Sequence, residues 1–348
     1  MTWIDQLPPL GNFALFSAIK ILGVFSVLMF IVAYAVWVER KVSARIQNRV
    51  GPNRVGFMGL LQPAADAIKS FLKEDLTPGH VRKVYFWLAP AVVMIPSLMT
   101  VAVIPFGSQI GAQKMVIADL NVGFLYTFGI VSLGVYGIVL AGYAANSKYP
   151  FLGGIRSSAQ LISYEIAMGL SVIPLLLCVG NLNLGSIVEA QAGGAWFIFR
   201  QPLAWAIFLV AMFAETNRLP FDLPESEQEL AGGYNVEYSS MKFALFFMAE
   251  YAAMTAASAM MVTLFFGGWT LPFAGLDHPA TSALMGLAHI GIFLAKMLVI
   301  EFMIIWVRWM WPRFRYDQLM DLGWRRLVPA ALANIVLTAA WLWFKEGK

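Results

Sequence analysis

Apolar runs long enough to cross a bilayer recur along this chain, and nothing else in it restricts the fold so strongly. Hydrocarbon offers no partner to an open peptide group, so a run of about 20 mostly apolar residues crosses as a helix. Such runs occupy Phe13–Val38, Val84–Phe106, Val122–Ala145, Ala159–Val179, Pro202–Asn217, Met241–Phe266, Ala288–Trp311 and Leu327–Phe344. The fifth is short, and it extends back to Ala195 if Arg200 snorkels. The 348 residues are 59% hydrophobic and 13% charged, against ~25% charged in a soluble domain. The expected fold class is therefore an all-α polytopic membrane protein with about eight transmembrane helices. Residues 1–348 read as a single transmembrane domain with no separate soluble domain.

Lysine and arginine set the orientation. The linkers after spans one, three, five and seven carry Arg40, Lys41, Arg45, Arg49, Arg54, Lys69, Lys73, Arg82, Lys83, Lys148, Arg156, Arg218, Lys242, Arg313, Arg315, Arg325 and Arg326. The opposite linkers and tails carry Lys114, Lys345, Lys348 and Arg200 at the edge of the fifth span. By the positive-inside rule the first set faces the cytoplasm, and both termini face the outer, periplasmic side of a bacterial inner membrane. The net charge of +4 comes from these short clusters and gives no footprint for nucleic acid.

Several function classes fall away. One cysteine, Cys178, cannot close an internal disulfide or hold an iron–sulfur cluster. With three scattered histidines (His80, His278, His289), no dedicated metal site is expected. The N-terminus has no basic segment or cleavage site of a removable signal peptide. No repeat of 20–50 residues and no inverted symmetry of the carrier type is visible.

What remains to be explained is acidic. Between the fifth and sixth spans lie Glu215, Asp222, Glu225, Glu227, Glu229 and Glu237, with Glu250 inside the sixth. A carboxylate near hydrocarbon costs ~2.5–3.5 kcal/mol on insertion scales and is usually functional. A helix starting at Pro224 would use Glu225 and Glu227 in its first turn, but that leaves Asp222, Glu237, Glu215 and Glu250 unexplained. Glu39 closes the first span. Glu165 falls about 9 Å into the fourth and Glu250 about 14 Å into the sixth, counting 1.5 Å per residue. These acids come from four different spans and are expected in the cytoplasmic half of the membrane, where a string of carboxylates with water between them makes a proton path. Lys296 and Glu301 add a base and an acid to the seventh span, five residues apart and so poorly matched on one helix face. The plainer alternative for any single acid is an ion pair with Lys296, Arg218 or a cation of a partner subunit. After the first span, Gly51-Pro52-Asn53 makes a turn. Leu60, Leu61, Ala64, Ile68, Phe71, Leu72 and Leu76 then recur at helical spacing, predicting an amphipathic surface helix on the cytoplasmic side.

These segments resemble one family. Val38-Glu-Arg-Lys41, Arg49-Val-Gly-Pro-Asn-Arg-Val-Gly56, Asn146-Ser-Lys-Tyr-Pro-Phe-Leu152, Ser163-Tyr-Glu165, Pro220-Phe-Asp-Leu-Pro-Glu-Ser-Glu-Gln-Glu-Leu230, Val236-Glu-Tyr-Ser239 and Pro312-Arg-Phe-Arg-Tyr-Asp-Gln-Leu-Met320 look like the H-type subunit of NADH-quinone oxidoreductase. That is the heel subunit of respiratory complex I, equivalent to mitochondrial NADH dehydrogenase subunit one. The resemblance implies a membrane subunit that helps form the tunnel for a quinone, ubiquinone or menaquinone. FMN and iron–sulfur clusters would reside in partner subunits, and this chain would hold no metal or flavin. The implied partners are the peripheral-arm quinone-site and iron–sulfur subunits, small membrane-arm subunits and membrane lipid. By motif, Glu39, Glu165, Glu215, Asp222, Glu225, Glu227, Glu229 and Glu250 would carry protons from the quinone cavity into the membrane. Arg40, Arg45, Arg49 and Phe221 would line that cavity or a subunit contact. Glu237, Lys296 and Glu301 are further candidates, and Glu301 matches no motif of the family.

Two other functions compete. The homologous subunit of an energy-converting hydrogenase or formate hydrogenlyase shares the acidic linker but needs no quinone tunnel, and the intact first linker and surface helix favour the quinone. A stand-alone ion carrier would be expected to show internal symmetry.

Overall fold

The structure, a computed structural model, describes residues 9–111, 113–224, 231–272 and 276–346. Its helices are α1 (Pro9–Ile46), α2 (Gln62–Leu72), α3 (Lys83–Met99), α4 (Gly123–Ala144), α5 (Lys148–Val179), α6 (Leu184–Glu189), α7 (Phe197–Arg200), α8 (Pro202–Glu215), α9 (Ser240–Phe265), α10 (Ala283–Met310), α11 (Tyr316–Asp321) and α12 (Val328–Glu346). A π turn over Leu322–Leu327 joins α11 to α12, so Tyr316–Lys345 forms one apolar rod. Seven helices among the described residues are long and apolar enough to cross a membrane. The eighth, α8, has 14 residues, about 21 Å against a hydrocarbon core of ~30 Å. It does not extend back to Ala195, because Gln201 leaves the helical region (φ −133°, ψ 60°) and Pro202 starts a new helix.

α9 is the centre of the bundle: 67% of its apolar window is buried, against 17% for α1 and for the terminal rod. Ala252, Ala256, Ser258 and Ala259 keep its surface thin, so neighbours approach closely by van der Waals contact, the main attraction between helices in lipid. α3 and α4 are held the same way. A Cβ on Gly137 would lie 2.4 Å from a Val93 methyl, and one on Gly142 would lie 2.5 Å from the Pro150 carbonyl oxygen of α5.

Two further elements differ from the sequence expectation. α5 begins at Lys148 rather than Ala159, because Pro150 falls in the first turn, where a missing N–H leaves no helical hydrogen bond unmade. Glu165 therefore lies about 26 Å along α5 instead of 9 Å. It faces Ser132, nine residues from one end of α4 and twelve from the other. Its depth is mid-span, not the basic half. α2 is shorter than the run of apolar residues suggests and omits Leu60, Leu61 and Leu76. It lies on the basic face with Ile68, Phe71 and Leu72 exposed. Ser240 at the head of α9 donates to Ser70 O or Lys73 O, at 3.0 and 2.9 Å, and so fixes the end of α2.

The segment after α8 folds back into the bundle. Asn217 takes a left-handed conformation (φ 50°), and the amide of Gln160 on α5 donates to Ala214 O and Phe221 O, both at 2.8 Å. Phe314 N donates to Pro220 O at 3.0 Å from the segment before α11. Residues 220–224 are buried, so the first half of the acidic linker is interior structure rather than a surface loop.

Candidate functional site

The fold-back carries Arg218 into the bundle, where it is 2% exposed. Its Nη1 lies 3.7 Å from Glu39 Oε2 and its Nη2 3.7 Å from Glu250 Oε2. One guanidinium thus stands between carboxylates of α1 and α9, and its plane rests 4.2 Å from the ring centre of Tyr251. At 3.7 Å these are ion pairs just beyond direct hydrogen-bond reach. Glu39 is held more tightly from two other directions. Tyr251 Oη donates to its Oε2 at 2.6 Å, and Arg308 of α10 donates to its Oε1. Glu250 accepts from Tyr234 Oη at 3.3 Å.

The same cations reach two further acids. Arg313 Nη2 pairs with Asp222 Oδ2 at 3.0 Å, leaving Oδ1 buried without a hydrogen-bond partner among the described residues. Burial pushes the Asp222 carboxyl above the ordinary aspartate range, and Arg313, Arg308 and Arg218 oppose the shift. Glu301 of α10 accepts from Thr255 Oγ1 at 3.2 Å, is 3% exposed and feels the charge of Arg218. It therefore belongs with the buried acids.

A second group continues from the first. Glu215, at the end of α8, and Glu250 line one cavity of about 110 Å³. A water needs roughly 10–15 Å³ of such volume, so the cavity admits several. Asn217, Tyr234 and Thr127 supply polar groups, while Val93, Val131 and Met260 supply apolar wall. The Oε2 of Glu215 is enclosed without a hydrogen-bond partner among the described residues, and Glu165 is the like charge that acts on it. Glu165 in turn accepts from the Ser132 hydroxyl of α4.

The remaining candidates are dispersed. Arg40 pairs with Asp66 of α2 at 2.7 Å, and Arg40, Arg45 and Arg49 are exposed on the basic face. Phe221 is 3% exposed and packs between the rings of Tyr164 and Phe314, each at 5.4 Å, so within this chain it is a core residue rather than cavity lining. Glu237 lies 3.8 Å from His80 Nε2 near the surface. Lys296 stands apart from Glu301: its ammonium donates to Phe266 O, Gly268 O and Thr270 O at 2.7, 3.0 and 2.5 Å. It caps the far end of α9 because that turn folds inward and leaves its carbonyls short of donors. Glu225, Glu227 and Glu229 lie outside the described residues. Among the described residues no group of three or more His, Cys, Asp and Glu side chains could hold a metal ion.

The sequence offers Arg218 as a partner for a buried acid, but it does not reveal Arg308 or Arg313. Arg313 looks like a topology signal, and Arg308 sits unremarked in an apolar run. The available signal was helical spacing: Glu301 and Arg308 are seven apart on α10, hence on one face. Ser132 and Thr255 gave no signal, since a hydroxyl in a span usually returns its hydrogen bond to its own helix.

Comparison with known proteins agrees along the length of the chain. The family model described as NADH dehydrogenase matches residues 19–339. An H-type subunit of NADH-quinone oxidoreductase from Cytophaga hutchinsonii is 47% identical over 336 residues, covering 94% of this chain and 97% of the relative. NADH-quinone oxidoreductase subunit 8 of Rhodothermus marinus is 48% identical over 325 residues, covering 91% and 94%. The H-type subunit of Flavobacterium johnsoniae is 47% identical over 335 residues, covering 94% and 95%.

Proposed function

Because this chain belongs to the family of H-type subunits of NADH-quinone oxidoreductase, as a multi-pass membrane component of that enzyme, we propose that it helps form the quinone tunnel and passes protons through its buried carboxylates. The observation that carries this reading is Arg218, one guanidinium shared at equal distance by Glu39 and Glu250. A buried cation between two acids is a two-position element. Negative charge arising at a quinone beside the fold-back draws the guanidinium away from Glu250, and the carboxylate that loses its counter-charge takes a proton. Glu250 faces the cavity that Glu215 also lines, so the proton passes across cavity water to Glu215 and on to Glu165 at mid-span. Return of Arg218 to Glu250 expels the next proton. Tyr251 and Arg308 hold the Glu39 carboxylate in place by hydrogen bonds from two sides, and Glu250 is the acid of the pair that faces the cavity.

In the assembled complex Arg45 and Arg49 face the peripheral-arm subunits, which carry the flavin and iron–sulfur clusters. The basic face is cytoplasmic. The names of the relatives favour quinone over a hydrogenase partner.

The test uses the complete complex in inverted membrane vesicles. Glu215→Gln and Glu250→Gln are each expected to lower NADH:quinone reductase activity and the linked proton uptake at least tenfold. NADH oxidation by an artificial acceptor at the peripheral arm should stay at the wild-type rate. Full quinone reduction with full proton uptake in both variants would overturn the proposal.

A further inference from the structure

A lateral groove lies away from the cavity of the acids. Phe16, Ile19, Gly23, Val27 and Ile31 recur on one face of α1 over about 22 Å. Phe293 and Met297 of α10, with Thr255 and Ala259 of α9, supply the other walls of a groove of about 430 Å³. That volume is within the range of small-molecule sites. Gly23 is exposed on this face, and an added Cβ there would meet nothing within 4 Å, so the groove is open at that point.

The lining is apolar except for three residues. The one hydroxyl proton of Thr255 goes to Tyr251 O or to Glu301, so no free donor waits at the inner end for a quinone headgroup. Gln113 stands at the loop end. Lys20 is the one charged lining residue, and it has no hydrogen bond or ion pair with any described residue. A lysine this close to the end of a span turns its ammonium toward the interface and keeps its stem along the groove. Unpaired there, it meets the phosphates of the leaflet that surrounds the N-terminal half of α1.

We propose that the groove holds one acyl chain of a membrane phospholipid whose headgroup phosphate is bound by Lys20. The chain lies along α1 with its terminal methyl toward Ala259, and Lys20 fixes its upper end. This site does not depend on the redox role of the acids.

The experiment places the intact complex in nanodiscs containing phosphatidylglycerol with a diazirine near the end of one acyl chain. Photolysis and peptide mapping are expected to put adducts on residues 16–31 and 293–297 at least fivefold above those on the lipid-facing residues Val336 and Leu337 of α12. Gly23→Phe fills the gap and Lys20→Glu reverses the charge, and each should remove that excess while Lys20→Arg retains it. Labelling equal to that of α12 would overturn the proposal, as would labelling unchanged in both variants. A photoreactive fatty alcohol that labels as well as the phospholipid would also overturn it, as would residues of another subunit cross-linked inside the groove.

Discussion

Burial lifts the Asp222 carboxyl above the ordinary aspartate range, and three guanidiniums pull against that shift, Arg313 first among them. Between the ordinary value near 3.9 and the raised native one, the folded chain keeps a proton that the unfolded chain has lost. Stability therefore falls as pH rises through that window, and Asp222→Asn should flatten the slope. Arg313→Gln removes both the nearest cation and a hydrogen bond to the charged form, so the titration of Asp222 should move further up. Infrared difference spectra read this directly: a carboxyl C=O band absent in Asp222→Asn should persist to higher pH in Arg313→Gln than in the parent. Identical titration in the two would show that Arg313 does not hold the charge. The carboxylates were legible one by one, since an acid in or beside an apolar run is rare and costly. Arg218 was legible as a cation for one of these acids, but its place between Glu39 and Glu250 was not. Nothing local says that Gln160, from a different span, draws the segment inward.

The bounds of elements follow from local chemistry, and their mates do not. Seven long helices were legible from apolar length, but the fourth run, begun at Ala159, starts at Lys148, with Pro150 sitting harmlessly in the first turn of α5. Lys296 shows the same limit. As sequence it is a further candidate for the proton path, poorly matched to Glu301 on one helix face. In the fold the turn after α9 bends inward, and Lys296 of α10 gathers three of its carbonyls over the ring of Trp196. Lys296→Met should leave those carbonyls short of donors and cost about 1–3 kcal/mol. Hydrogen exchange should rise at residues 266–272 and not at the end of α2 and the head of α9, where Ser240 makes an independent tie. A variant with unchanged exchange there, or with proton uptake lost while exchange stays the same, would return Lys296 to the proton path.

At the scale of the molecule, the ion pairs alter how the basic face is counted. Arg218, Arg308 and Arg313 are neutralised by Glu39, Glu250 and Asp222 inside the bundle, so they say little about which way the chain faces. Removing them leaves Arg45, Arg49, Lys69, Lys73, Arg315, Arg325 and Arg326 exposed on that face. On the opposite face Lys114 is tied to Asp119 at 2.7 Å. The bias thus survives without the interior cations, and the cytoplasmic assignment rests on solvated charges alone. Two positions test it in a Cys178→Ser background, which removes the one native thiol. Gly79 lies on the basic face with room for a side chain, and Thr281 is exposed on the other. In intact cells with a permeable outer membrane, an impermeant maleimide should label Thr281→Cys and spare Gly79→Cys. Inverted vesicles should reverse the pattern. Labelling of Gly79→Cys from the outside would turn the molecule over and place the fold-back, with its acids, at the wrong surface for a cytoplasmic electron donor.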